Sequence, residues 1–202
     1  MVYNINYFIF VMQNNKKMEA QESLAIIEQM IANSKKNFKR SAKYFLLWGW
    51  AVFLAILVQY ILLKLLYPHT YYVWIILPVC AVITIFLGFR DRKIEKVKTY
   101  TSDAMSALWT SMMFAFFILG FVAARMGVNV FPVILILYGV GTFTSGRLLE
   151  FKPLVYGGLF SFAMSIACTY VEGSTMFLIV AAALLVSYII PGHLLLKADS
   201  HE

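Results

Sequence analysis

The stretch Lys35–Trp50, KKNFKRSAKYFLLWGW, decides the fold. Five cations, Lys35, Lys36, Lys39, Arg40 and Lys43, stop abruptly at Tyr44, where an apolar run begins. Cations are retained on the cytoplasmic side of a membrane, and Tyr and Trp favour the water–lipid interface. Tyr44, Trp48 and Trp50 fall at that level. The stretch therefore reads as the cytoplasmic edge of a first membrane span, and it orients every segment downstream.

Six apolar segments follow, over approximately 44–66, 71–89, 103–124, 130–149, 153–171 and 175–196. Each holds about 20 residues, enough to cross a hydrocarbon core of about 30 Å as a tilted helix. Short connections make neighbouring helices antiparallel. Overall the 202 residues are 61% hydrophobic, whereas soluble domains are about 45–50% apolar. The expected fold is all-α: a polytopic membrane bundle of six transmembrane helices behind an N-terminal cytoplasmic amphipathic helix.

Charge placement orients the bundle. Seven cations precede Tyr44 (Lys16, Lys17, Lys35, Lys36, Lys39, Arg40, Lys43), and Arg90, Arg92, Lys93, Lys96 and Lys98 fill the second loop. Arg147, Lys152 and Lys197 lie on the same side, and only Lys64 and Arg125 fall opposite. That bias puts both termini in the cytoplasm. It also explains the net charge of +7 without a nucleic-acid partner. Lys64 is expected to snorkel beside Tyr67, Tyr71, Tyr72 and Trp74.

Upstream, residues 1–17 are too short to span and lack a basic signal-peptide start, so they read as a mis-assigned extension before Met18 or a disordered arm. Residues 18–43 read as an amphipathic helix. Leu24, Ile27, Ile31, Ser34 and Phe38 recur at three- and four-residue steps and form one apolar stripe. Its acids lie early and its cations late, complementing the helix dipole. The candidate contact residues are Leu24, Ile27, Ile31 and Phe38 toward a protein partner. Lys35, Lys36, Lys39, Arg40 and Lys43 face anionic lipid, each adding about 1 kcal/mol of attraction. Residues 44–197 form the bundle and 198–202 a cytoplasmic tail.

Within the spans, Pro132 and Pro153 sit in first turns, Pro78 is expected to kink the second helix, and Pro191 with Gly192 to bend the sixth. Cys80 and Cys168 differ in depth by roughly 9 Å, too far for a disulfide. Small residues line the fifth helix (Gly157, Ser161, Ser165, Thr169) and the fourth (Gly139, Gly141, Ser145, Gly146). Such faces let membrane helices approach closely. Arg147 and Glu150 lie three apart, the spacing of an interfacial ion pair on one helix face; with His193 they read first as ordinary anchors at helix ends, and second as the lining of a cytoplasmic vestibule.

No carboxylate lies at mid-depth, which counts against a proton- or sodium-coupled carrier. No nucleophile elbow, phosphate loop, zinc helix or CxxC occurs, so nothing supports an enzyme, a metal site or a cofactor.

Four pieces carry a resemblance: SLAIIEQMI (23–31), YFLLWGWAVFLAILVQY (44–60), GVGTFTSGRLLEFKPLVYGG (139–158) and YIIPGHLLL (188–196). Together they resemble a family of small multi-span inner-membrane proteins of Bacteroidetes bacteria with no established activity. The resemblance implies a bacterial inner (plasma) membrane and carries over no catalytic or binding residue. Two functions compete. One is recruitment or regulation of a cytoplasmic partner through the N-terminal helix. The other is passage of a small neutral or apolar solute. The lipid bilayer is the implied surrounding in both, and self-association is compatible with either.

Reporter fusions test the topology. Those at His69, Gly127 and Gly173 are expected outside, and those at Lys93, Lys152 and His201 inside. One reversed reporter would remove a span from this reading.

Overall fold

The structure, a computed structural model, describes residue 23, residues 41–94 and residues 100–197. The expected N-terminal arm and tail lie outside the described residues. So do the amphipathic stripe and the candidate contacts Leu24, Ile27, Ile31, Lys35, Lys36, Phe38, Lys39 and Arg40. Among the described residues every regular element is helical. Helix α1 is Ser41–Lys64. A 3-10 turn over Thr70–Ile75 leads into α2, Ile76–Ile94. Then come α3 (Tyr100–Met126), α4 (Phe131–Leu148) and α5 (Lys152–Thr169). Helix α6, Thr175–Lys197, contains a π-turn at Leu185–Ile189.

Five of these helices are long and apolar enough to cross a membrane: α1, α2 with its leading turn, α3, α4 and α6. The expectation of six is met by five. Helix α5 has 18 residues but opens on Lys152 and Pro153 and carries Gly157, Gly158, Ser161 and Ser165. Those residues leave it short of the apolarity of the others.

Local chemistry sets the ends. Pro132 and Pro153 occupy first turns, where the missing N–H is no loss. After α3 the chain reverses at Gly127, with φ of 65° and its N–H on the Ala123 carbonyl at 2.8 Å. This is the left-handed helix stop that glycine adopts without a Cβ penalty. Pro78 does not kink a helix midway. It is the third residue of α2, and the 3-10 turn before it absorbs the change of winding. Lys64 places its ammonium 5.7 Å from the centre of the Tyr60 ring, one turn back, rather than among the loop aromatics.

Burial ranks the helices. Within the apolar stretch, 56% of α6 is buried, against 39% of α4, 28% of α1 and 6% each of α2 and α3. Helix α6 is thus the core element, with α2 and α3 at the periphery. Helices α4 and α5 form an antiparallel hairpin whose backbones nearly touch. A Cβ on Gly146 would lie 2.6 Å from the Val155 nitrogen, and one on Gly158 would lie 2.7 Å from the Phe143 nitrogen. On its other side α5 meets α6, where a Cβ on Gly157 would lie 2.6 Å from the Ser187 carbonyl oxygen. The small residues read from the sequence are internal: Gly157, Ser161 and Ser165 are buried, while Thr169 is exposed and donates to its own helix at Ile166.

Gly157→Leu should therefore part α5 from α6 and cost about 3 kcal/mol, at the upper end of overpacking. Leu159→Phe, at a half-exposed position of the same helix, should be mild. Equal thermal stability of the two variants in detergent would refute the packing.

Candidate functional site

The π-turn of α6 is where most of the bundle meets. Proline has no N–H, and its ring clashes with the carbonyl four residues earlier. For Pro191 that carbonyl belongs to Ser187. The helix widens just before it, and the Ile190 N–H reaches back five residues to the Leu185 carbonyl. Ser187, Tyr188 and Ile189 are consecutive and all buried, as are Pro191 and Gly192. The bend expected at Pro191 and Gly192 is instead a π-turn one turn upstream, and the helix continues to Lys197.

Ser187 serves α5. Its hydroxyl accepts from Ser161 Oγ at 2.9 Å and donates to the Ala183 carbonyl at 2.5 Å. Tyr188 serves the other three neighbours. Its ring lies 4.6 Å from Phe45 of α1, 5.7 Å from Trp109 of α3 and 5.6 Å from Tyr138 of α4, centre to centre. Gly49 makes room for it, since a Cβ there would sit 2.9 Å from the Tyr188 ring. Three polar side chains around it bond within the bundle. Trp109 Nε1 donates to Ser145 Oγ (3.1 Å), Thr142 to the Tyr138 carbonyl (2.7 Å) and Ser165 to the Pro132 carbonyl (2.8 Å). This centre is built of neutral hydroxyls and rings. It offers hydrogen bonds and close packing.

A second group sits at the basic end of the bundle. Tyr44 donates to Asp91 Oδ2 at 3.0 Å and Trp48 Nε1 to Thr84 Oγ1 at 3.0 Å, so α1 is tied twice to α2. Trp50 Nε1 donates to His193 Nε2 at 3.3 Å, tying α1 to α6. Accepting at Nε2 places the His193 proton on Nδ1. Of the candidate contact cations only Lys43 is described, and it is exposed in the first turn of α1. The expected Arg147–Glu150 pair does not form. Helix α4 stops at Leu148, and Glu150 turns to φ of 53°, off the helix face. Without that pair, and with His193 engaged by Trp50, the three do not form a vestibule.

Cys80 and Cys168 are both free and buried. Among the described residues no group of three His, Cys, Asp or Glu could hold a metal ion. The charge-based reading overlooked Gln59. It extends the inward stripe of Ala42, Phe45, Gly49, Val52 and Ile56, and its Oε1 is buried without a hydrogen-bond partner. The Ser187 hub was also missed, although a serine four residues before a proline in an apolar run carries the signal.

A double-mutant cycle tests the hub. Ser161→Ala and Ser187→Ala should show a coupling of about 0.6–1 kcal/mol in detergent unfolding, the range of interhelical hydrogen bonds in membranes. Strict additivity would show that the two hydroxyls do not interact.

No protein-family model, no curated protein and no solved structure matches this chain.

Proposed function

We propose that this integral membrane protein anchors its N-terminal segment at the cytoplasmic face of a bacterial inner membrane, where the segment engages a protein partner. The bundle is read as a six-helix anchor, with α5 as the sixth span carried between α4 and α6. The observation that supports this reading is the fixing of α1. Tyr44, Trp48 and Trp50, in its first three turns, bond to Asp91, Thr84 and His193 on two other helices. The point from which the N-terminal segment leaves the bundle is therefore held in position and rotation.

Packing at the centre favours an anchor over a solute path. The backbones of α5 meet those of α4 and α6 at glycine positions, and the small-residue hydroxyls are used inside. Coupled transport would also call for a buried ionisable group.

The experiment is affinity capture of the full-length protein from native membranes. Leu24→Glu with Ile27→Glu should abolish a co-purifying protein while membrane insertion is unchanged. Neutralising Lys35, Lys36 and Lys39 to Gln should weaken lipid attachment by about 3 kcal/mol, an effect that fades at high salt. Capture that survives the glutamates would overturn the docking role.

A further inference from the structure

The seam between α1 and α6 carries a cation on each side at the basic end of the bundle. The two helices run antiparallel: Gly49 lies against Tyr188 and Ile189, and Gly192 lies against Phe45 and Leu46. That register brings Lys43 level with Leu194 and Leu195, and puts Lys197 less than one turn beyond. Trp50 and His193 meet across the seam, Nε1 to Nε2 at 3.3 Å, in an exposed position. Lys43 is seven residues before Trp50 and Lys197 four residues after His193, so each lysine shares a helix face with its ring. Both lysines are exposed and flank the same seam. Deeper along it, exposed Leu54 and Ile190 form apolar walls.

Charge singles this seam out. Neither helix carries an acid, from Ser41 to Lys64 or from Thr175 to Lys197. The other exposed cations at this end have one close in the chain: Arg90 precedes Asp91, and Arg147 and Lys152 lie within three residues of Glu150. Asp91 meets α1 on the side of α2, at the Tyr44 hydroxyl. Lys197 already has a contact within the chain, and an ammonium carries three donors. His193 adds a further donor. With Nε2 accepting from Trp50 its proton is on Nδ1, and no described residue accepts from that nitrogen. This N–H lies one turn below Lys197, at the inner edge of the headgroup layer. Hydrocarbon offers it no acceptor, whereas the ester carbonyls of a glycerolipid do.

We propose that the α1–α6 seam seats one anionic phospholipid. Lys43 and Lys197 hold its phosphate, His193 Nδ1 donates to an ester carbonyl below, and an acyl chain lies along Leu54 and Ile190. Basic clefts between membrane helices take such headgroups. A headgroup bearing its own amine would bring a third cation to the two lysines, so the seat favours one without. The proposal extends the lipid contact expected of Lys43 to a defined site, and it does not rest on the proposed protein partner.

Quenching of Trp50 fluorescence by lipids with brominated acyl chains tests this, using the full-length protein in detergent micelles. The signal lost in Trp50→Phe separates this ring from Trp48, Trp74 and Trp109. Brominated phosphatidylglycerol should half-quench Trp50 at a mole fraction about thirtyfold lower than brominated phosphatidylcholine, the advantage expected of two lysines. Lys43→Gln with Lys197→Gln should abolish that advantage. Arg147→Gln with Lys152→Gln removes equal charge from the same end of the bundle and should leave it intact. His193→Phe should weaken both lipids about threefold, the worth of one modest hydrogen bond, because ester carbonyls are common to the two. Inorganic phosphate should not reverse the quenching. Equal quenching by the two lipids would overturn the proposal, as would an advantage that survives the lysine changes or falls equally with the Arg147 and Lys152 changes. Reversal by inorganic phosphate, or no effect of His193→Phe, would do the same.

Discussion

A single missing backbone donor, at Pro191, governs the centre of this bundle. In hydrocarbon no water is present to take up a stray carbonyl, so every backbone group must be satisfied by protein. Pro191 cannot donate to the Ser187 carbonyl, and α6 responds by widening into the π-turn at Leu185–Ile189. The widened turn then takes a neighbour that comes very close. Gly157 on α5 is that neighbour, because a side chain there would run into the Ser187 backbone. The same widening turns Ser187 and Tyr188 inward together. One reaches Ser161 on α5, and the other reaches Phe45, Trp109 and Tyr138 on α1, α3 and α4. The choice of glycine at 157 and at 49 follows from the same distortion.

This explains which features could be read from the chain and which could not. Long apolar runs bounded by cations are nearly independent of tertiary context, so the first segment, read as 44–66, appears as Ser41–Lys64. Proline at a helix start is equally local, and Pro132 and Pro153 sit where expected. Pro78 and Pro191 were legible as distortions, but their form was not. Whether a helix kinks, tightens to 3-10 or widens to π depends on what packs against the distorted turn, and those neighbours lie on other helices. The Arg147–Glu150 pair failed for a related reason. Spacing of three implies a shared face only while the helix continues, and α4 ends between them. As for the candidate site, only Lys43 of the expected contact set is described, in the first turn of α1.

The fifth helix shows how composition can understate a structural role. By apolarity α5 is the weakest of the six, because glycine and serine replace large side chains. Those replacements are what allow α4 and α6 to approach it on two sides. Membrane helices gain little from burying apolar surface against one another, since lipid is equally apolar. They gain from close van der Waals contact and from hydrogen bonds, and α5 supplies both through Gly146–Val155, Gly158–Phe143 and Ser161–Ser187. A low hydropathy score and a high packing value thus arise from the same residues.

The first helix carries a comparable double use. Tyr44 and Trp48 read as interfacial aromatics, placed at the lipid boundary for their mixed polarity. In the structure their polar tips are turned to Asp91 and Thr84 rather than left to water. A helix anchored only by its interface can still rotate about its own axis and slide by a fraction of a turn. One bonded at successive turns to α2, and through Trp50 to α6, can do neither without breaking two part-buried hydrogen bonds and an exposed one. The inward stripe of Ala42, Phe45, Gly49, Val52 and Ile56 locks the same rotation by packing. Polar ties at the basic end and small-residue packing along the shaft therefore impose one orientation on α1.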